Sequence, residues 1–352
     1  MPNEPTLQST RSHVPPLDGL RGIAVLLVLW AHVPDDLGGG VVNLLNRVVQ
    51  PGYLGVDIFF VLSGFLITRI LMYERDQNKP LRYFLIRRAF RIFPIYYLLI
   101  GLLIFLAPGE YLFWCATYLS NFVFSFDYTD NPMRHTWSLC VEEHFYMIWP
   151  LIIYFAPRAT LRPTAIAVVI SGMVLAVMAS IYAGQLPLYE MLYRGTPFRA
   201  TSLALGGVFA LYEPSIGVGK PRAWWLSAGF FLPAAAFLAV ASAMENPWKQ
   251  SVKMIGFALL SSSIFLAAVG AERLGPKVCV VLSRGPLAYA GRISYGIYLY
   301  HFPIFYALGV LDEQAPASSW LTLQGVALTF VVATVSYYIL ERPILRYASR
   351  YR

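Results

Sequence analysis

The chain has 352 residues, of which 57% are hydrophobic and only 13% charged, and its mean hydropathy is +0.57. Soluble domains carry about a quarter charged residues, so this composition excludes a water-soluble globule, a disordered chain and a secreted disulfide scaffold. The net charge of +8 does not indicate a nucleic-acid partner, because basic residues in a multi-spanning chain usually mark cytoplasmic loops. The three cysteines have no CxxC or Cys/His spacing and predict neither disulfides nor a metal site.

Apolar stretches long enough to cross a bilayer recur along the chain. About 20 apolar residues cover the hydrocarbon core, and the sequence offers ten such candidates: 18–34, 54–73, 90–107, 139–156, 164–183, 199–213, 223–243, 254–271, 288–311 and 319–340. The segment 110–126 is shorter and interrupted by polar residues, which favours an interfacial or re-entrant piece. We predict an all-α polytopic integral membrane protein with about ten transmembrane helices and one membrane-embedded domain, residues 18–343.

Basic residues predict the orientation of this bundle. With both termini cytoplasmic, 21 of the 27 Lys and Arg residues lie on the inner side, including those of the N-terminal segment 1–17 and the tail 344–352. An eleventh span would invert every loop after residue 110 and remove this bias. The first 17 residues are polar and carry no signal-peptide pattern.

The first predicted helix, LDGLRGIAVLLVLWAH, contains two ionisable side chains. Arg21 and His32 are 11 residues apart, so they share one face and lie roughly 16 Å apart along the axis. A cation at the mouth and an imidazole deep inside suit a ligand threaded from the cytoplasm. Alternatively, Arg21 reaches lipid headgroups and His32 pairs with a neighbouring helix.

The next two helices add a carboxylate and a basic cluster. Asp57, in the first turn of the second helix, lies at about the predicted depth of His32 and could orient its imidazole, or simply meet the helix dipole. The segment RYFLIRRAFRIFPIYY clusters arginines at the cytoplasmic edge of the third helix. Guanidinium groups bind phosphates in bidentate geometry, although such clusters also anchor proteins on anionic lipid.

Polar residues also enter the fourth, sixth and ninth predicted spans. Glu142 and Glu143 point about 100° apart, and Glu142 shares a polar face with Ser138, which favours Glu142 as the cavity-facing group over a solvated outer cap. The segment RATSLALGG places Arg199 at the outer end of the sixth span, and RISYGIYLYHFPIF gathers Tyr295, Tyr298 and His301 in the ninth. The last group is either a satisfied core network or part of a cavity.

Seven segments together resemble the acyltransferase 3 family of multi-pass membrane enzymes: LDGLRGIAVLLVLWAH, GVDIFFVLSGFLIT, FLIRRAFRIFPIYY, HTWSLCVEEHFY, RATSLALGG, ISYGIYLYH and the terminal ERP. They extend in the family's order from residue 16 to 343. Cys140 and His144 depart from the serine and glutamine that are usual in the fourth segment. The resemblance implies an enzyme of the bacterial inner membrane that moves an acyl group, commonly acetyl, from cytoplasmic acyl-CoA to a hydroxyl of a cell-envelope glycan or lipid-linked precursor.

The resemblance also implies roles for the polar residues. Candidate catalytic residues are His32, as general base or transient acyl carrier, with Asp57, Glu142 and Glu143 around it. Candidate acyl-CoA ligands are Arg21, Arg69, Arg87, Arg88 and Arg91. Candidate acceptor or cavity residues are Trp137, Ser138, Arg199, Tyr295, Tyr298 and His301. No metal and no permanently bound cofactor is expected, since acyl-CoA is the donor substrate.

Expected partners are acyl-CoA, a glycan acceptor and membrane lipids. Some family members carry a fused extracytoplasmic hydrolase-like domain, whereas this chain ends at residue 352. We therefore expect it to act alone or to pass the acyl group to a separate extracytoplasmic protein. Two alternatives are acylation of a small secreted metabolite such as a macrolide, and a membrane transporter, which the absence of paired inverted halves disfavours.

Overall fold

The computed structural model describes residues 14–33, 46, 50–126, 130–181, 188–213, 221–245, 248–270, 275–311 and 319–351. Regular structure in these ranges is helical, with no strand. The helices are α1 (Pro16–Trp30), α2 (Pro51–Asp76), α3 (Leu81–Leu106), α4 (Tyr111–Ala116), α5 (Ser120–Phe126), α6 (Trp137–Phe155), α7 (Arg158–Ile181), α8 (Leu188–Arg194), α9 (Thr196–Leu211), α10 (Pro221–Ala243), α11 (Trp248–Val269), α12 (Pro276–Ser283), α13 (Gly285–Arg292), α14 (Ser294–Ala307), α15 (Ser319–Ser336) and α16 (Arg342–Ala348).

Six helices of the described chain are long and apolar enough to cross a membrane: α2, α3, α7, α10, α11 and the continuous rod Ser319–Ala348. They coincide with six of the ten predicted spans, so the chain is a multi-pass helical membrane protein. The other four predicted spans form shorter or more polar helices, α1, α6, α9 and α14. Ten spans and cytoplasmic termini stay predictions, and residues 1–13 of the predicted N-terminal segment lie outside the described ranges.

Three predicted spans differ from the observed helices. In the first, 18–34, helix α1 ends at Trp30, so His32 lies in the turn that follows it. The segment 288–311 is not one helix, because α13 ends at Arg292 and α14 begins at Ser294. A Cβ atom on Gly291 would lie 1.8 Å from the carbonyl oxygen of Asp18, so α13 packs backbone to backbone on the N-terminal part of α1. The last span runs beyond its predicted end, through a π-helical turn at Tyr337–Glu341, into α16.

Helix α2 occupies the centre of the bundle. It packs against α1, α6, α9 and α11. Of its most apolar 18 residues, 78% are buried inside the bundle, whereas the corresponding share for α10 at the periphery is 17%. Glycines set its closest contacts: a Cβ atom on Gly64 would lie 1.8 Å from the carbonyl oxygen of Leu203, and one on Gly55 would lie 2.7 Å from that of Ala24. Small residues at such crossings let helix backbones meet. Polar groups on α1, α2, α6 and α9 are thereby drawn together.

Candidate active site

A cavity of about 670 Å³ of empty space, its open mouth included, lies between α1, α2, α3, α6 and α14. Seven of the predicted site residues line it: Arg21, Arg88, Arg91, Ser138, Glu142, Tyr295 and Tyr298. Ser63 and Ser294 also line it and carry no signal in the sequence, where serines in membrane helices are common. One cavity therefore joins the predicted donor arginines to predicted acceptor residues.

Three arginines give the inner part of this cavity its charge. Arg88 lies 3.6 Å from the Oε2 atom of Glu142, and its guanidinium carbon lies 3.8 Å from the ring centre of Tyr146. Arg21 and Arg91 face each other and Arg88, and neither makes an ion pair within 4.0 Å in the described part of the chain. Three clustered guanidiniums, of which Arg88 alone makes an ion pair within 4.0 Å among the described residues, create a positive potential that suits a multiply charged anion.

The other two predicted donor ligands lie outside the cavity lining. Arg69 pairs with Glu213, its Nε atom 3.0 Å from the Oε2 atom. Arg87 pairs with Glu74 and donates to the backbone carbonyl of Tyr351. Successive helical residues point about 100° apart, so Arg87 ties α3 to the C-terminal residues while its neighbour turns inward.

The two adjacent glutamates, Glu142 and Glu143, point in different directions. Glu142 faces the cavity, where its Oε1 atom accepts from Ser63 at 3.0 Å and its Oε2 atom accepts from Tyr146 at 2.8 Å. Glu143 does not line the cavity; it is 9% exposed, and its Oε1 atom has no hydrogen bond among the described residues. The predicted preference for Glu142 as the cavity-facing group agrees with this geometry.

Asp57 and Arg199 form a buried pair beside the cavity. Asp57 is 0% exposed; its Oδ1 atom accepts from Ser202 at 2.5 Å and its Oδ2 atom lies 3.3 Å from Arg199. The Arg199 guanidinium carbon also lies 5.3 to 5.6 Å from three aromatic ring centres, those of Phe60, Trp137 and Tyr193. No contact recorded among the described residues joins Asp57 to His32. The pair therefore fastens α2 to α9.

Beyond the cavity, three of the chain's five histidines converge. The ring centre of His301 lies 5.1 Å from that of His32 and 5.0 Å from that of His135. His32 bonds through Nδ1 to the carbonyl of Val28 at 2.8 Å, and His301 does the same to Tyr298 at 2.6 Å. A carbonyl only accepts, so both Nδ1 atoms carry hydrogen and both Nε2 atoms present lone pairs. The described residues contain no group arranged to hold a metal ion.

Tyr298 connects the histidines to the cavity. It lines the cavity, donates its hydroxyl to the carbonyl of His135 at 2.6 Å and accepts from Ser138 at 2.7 Å. Burial, and secondarily the nearby His32, lowers the pKa of His135 to about 3, so this imidazole is neutral. The sequence-based interpretation gave His135 no role; its rarity in an apolar chain, two residues before Trp137, is the signal that could have found it.

The chain is similar in sequence to several bacterial O-acetyltransferases. The chain is 31% identical to the peptidoglycan O-acetyltransferase OatA of Listeria monocytogenes, over 96% of this chain and 57% of that protein. It is 29% identical to the O-acetyltransferase OatA of Staphylococcus aureus, over 94% of this chain and 57% of that protein. Bacillus subtilis YrhL is 32% identical over 94% of this chain and 55% of its own length. The chain thus spans little more than half the length of these relatives.

No solved structure matches the chain significantly. The model of the family described as "Acyltransferase domain" matches residues 15–341, which include every residue of the cavity and of the histidine cluster. The match confirms the resemblance drawn from the seven sequence segments, and the chain belongs to the acyltransferase 3 family.

Proposed function

We propose that this protein is an O-acetyltransferase of the bacterial cytoplasmic membrane, which takes acetyl from cytoplasmic acetyl-CoA and transfers it to a hydroxyl of the cell-wall glycan. The class of reaction follows from the family and from the relatives named above. The observation that carries the proposal is that Tyr298, in the lining of the arginine-lined cavity, also contacts the histidine cluster that contains His32.

The donor site is assigned to Arg21, Arg88 and Arg91. Acyl-CoA carries several phosphates, and bidentate arginine contacts are the strongest recognition of such groups. A cavity with three guanidiniums and Glu142 as the counter-ion of one of them keeps positive charge available for an incoming anion. Arg69 and Arg87 are assigned to the fold rather than to the donor, because each is paired with a carboxylate outside the cavity.

The reacting end of the donor is assigned to the outer side of the cavity, near His32. The 11-residue spacing corresponds to roughly 16 Å between Arg21 on α1 and His32 in the turn just past its end at Trp30, which leaves the length of an extended thiol arm between them. The thioester is already activated, so the protein has to position it and to remove one proton. The Nε2 lone pair of His32 is suited to that task because its Nδ1 hydrogen is committed to Val28.

In direct transfer, the acceptor oxygen attacks the thioester carbonyl while its proton passes to Nε2 of His32. A C–O bond forms, the C–S bond breaks, and the leaving thiolate takes the proton back as CoA thiol. Alternatively, Nε2 itself attacks the thioester: a C–N bond forms and the C–S bond breaks, which gives a transient acyl-imidazole and the CoA thiolate. The acceptor oxygen then forms the C–O bond, the C–N bond breaks, and the hydroxyl proton passes to the thiolate. Peptidoglycan is the proposed acceptor because the Listeria relative is named for that activity.

Replacing His32 with alanine tests this function. Loss of a general base costs about 10²- to 10⁴-fold in rate, so acetyl transfer should fall by that factor while acetyl-CoA binding stays within about twofold. Transfer is measured with radiolabelled acetyl-CoA and solubilised peptidoglycan fragments on detergent-purified protein, and binding is measured by calorimetry.

The matched control is His144→Gln. His144 is another half-buried histidine on the same bundle, held by Thr196 at 2.7 Å and stacked on Phe122, away from the cluster. This variant should keep near-parental transfer. Near-normal transfer by the His32 variant would contradict the assignment of the base, and equal losses in both variants would point to misfolding.

A further inference from the structure

Two of the carboxylates expected to stabilise a charged His32, Asp57 and Glu142, are committed elsewhere, and no contact among the described residues joins the third, Glu143, to His32. Asp57 is held by Ser202 and Arg199 and is 0% exposed. Glu142 accepts from Ser63 and Tyr146 and faces Arg88. Nevertheless, a histidine that takes a proton inside an apolar bundle needs a partner for the new N–H, because an unpaired buried charge is costly.

The polar group that faces His32 is another imidazole. His301 is 0% exposed, its ring centre lies 5.1 Å from that of His32, and its Nε2 atom has no hydrogen bond among the described residues. The main-chain bond through Nδ1 fixes this nitrogen as an acceptor. A buried acceptor without a donor is unusual and calls for an explanation.

The protonation states of His32 and His301 account for the unpaired Nε2 atom of His301. In the resting protein both Nε2 atoms carry lone pairs, so the two rings cannot bond to each other. When His32 takes a proton, its Nε2–H becomes a donor and the Nε2 atom of His301 becomes its acceptor. Two ring nitrogens about 3 Å apart correspond to ring centres roughly 5 Å apart, so the observed separation of 5.1 Å leaves room for this bond once His32 is protonated.

The surroundings hold His301 in this orientation. His135 lies edge-on to it at 5.0 Å, Phe302 at 6.1 Å and Phe305 at 6.2 Å, measured between ring centres. These neighbours restrict rotation of the His301 ring, which is 0% exposed.

We infer that His301 is a positioning residue for the transfer reaction, whose Nε2 atom accepts a hydrogen bond from the imidazolium of His32 in place of a catalytic carboxylate. The inference rests on the proposed function. The proton balance is unchanged, because His32 takes one proton from the hydroxyl and returns it to the leaving thiolate. His301 only lowers the energy of the state between these two steps.

Two substitutions separate this role from a structural one. His301→Asn keeps a donor near the Nδ1 position and so preserves the bond to the main chain, but it removes the acceptor at Nε2. His301→Gln places an amide oxygen near the Nε2 position and keeps an acceptor there. A purely structural role predicts that Asn is tolerated at least as well as Gln, whereas the positioning role predicts the reverse.

The measurement is kcat and the KM for acetyl-CoA, with solubilised peptidoglycan fragments as acceptor and detergent-purified full chain. We expect His301→Asn to lower kcat about 10- to 100-fold, the rate equivalent of a hydrogen bond to a charged group, with KM within about twofold. His301→Gln should retain at least a third of the parental kcat. Phe302→Leu, which changes packing against the same ring without changing a ring nitrogen, is the control.

The outcomes separate the inference from the function it rests on. Absence of acetyl transfer by the parent would overturn the proposed function. An active parent with His301→Asn at or above His301→Gln would overturn only the role of His301. A loss in Phe302→Leu equal to that in His301→Asn would also overturn it, since packing would then account for both.

Discussion

We call the arginine-lined part of the candidate site its inner half and the histidine cluster its outer half, after the predicted orientation of the chain, and the two are built differently. The inner half is open and charged, with Arg21, Arg88 and Arg91 facing one cavity. The outer half is densely packed, with three imidazoles among aromatic rings. A highly charged ligand is bound best by fixed opposite charge, whereas a general base must be uncharged before it takes its proton. Under the proposed function, this contrast separates residues that bind the donor from residues that react.

The largest effect on stability is expected from the buried pair that fastens α2 to α9. Asp57→Asn leaves the guanidinium of Arg199, which is 2% exposed, without its counter-ion. Breaking such a pair costs about 3–5 kcal/mol, so both halves of the site should be lost together as thermal unfolding shifts to lower temperature. Ser202→Ala removes only the hydrogen bond to Asp57 and should cost about 1 kcal/mol. Unchanged thermal stability in Asp57→Asn would remove this pair from the framework of the site.

The second-largest effect tests whether acetyl-CoA binding depends on the arginines of the inner half or on positive charge elsewhere in the protein. The double variant Arg21→Gln, Arg91→Gln should weaken acetyl-CoA binding by at least 100-fold, because each charged contact is worth about 1.5–3 kcal/mol. The matched double variant Arg69→Gln, Arg87→Gln removes the same charge but outside the cavity lining. It should lower thermal stability and leave binding within about threefold. Equal weakening of binding in both, measured by calorimetry, would show that net charge matters rather than position.

The smallest effect is expected from a change in salt concentration, which compares the two halves of the site without mutation. Raising salt from about 0.05 to about 0.5 M shortens the screening length from above 10 Å to below 10 Å. We expect acetyl-CoA binding to weaken several-fold, because it depends on guanidiniums that line an open cavity, whereas kcat at saturating donor should change less than twofold. A kcat that falls in step with binding would mean that the outer half also depends on unscreened charge.

Much of the fold followed from local sequence properties. Six predicted spans coincide with long apolar helices because length and hydropathy are properties of a continuous segment. The four remaining predicted spans correspond to helices that carry Arg21, Glu142, Arg199 and His301. These helices are shorter or more polar than the other six because they carry polar residues of the candidate site, so hydropathy alone predicts them least well. The break at Ile293 lies next to a close backbone approach between Gly291 and Asp18, a contact between distant parts of the chain that no local pattern encodes.

Most candidate site residues could also be predicted from the local sequence, but the residues that contact them could not. Ionisable groups in a membrane helix are costly, so Arg21, His32, Asp57 and Glu142 were conspicuous in the sequence. The expected contact between Asp57 and His32 rested on equal depth alone. Depth leaves open the direction in which each side chain points, and in the structure Asp57 turns toward Arg199.

The sequence by itself determined the family, the helical membrane architecture and most of the polar residues of the site, because composition, hydropathy and motif order are written along the chain. Only the tertiary structure decided which arginines of one cluster face the cavity and which are tied to Glu213 and Glu74. It also brought His135 to His301, 166 positions further along the chain. Such pairings depend on helix rotation and on close crossings at glycine, and these are set when helices pack against one another.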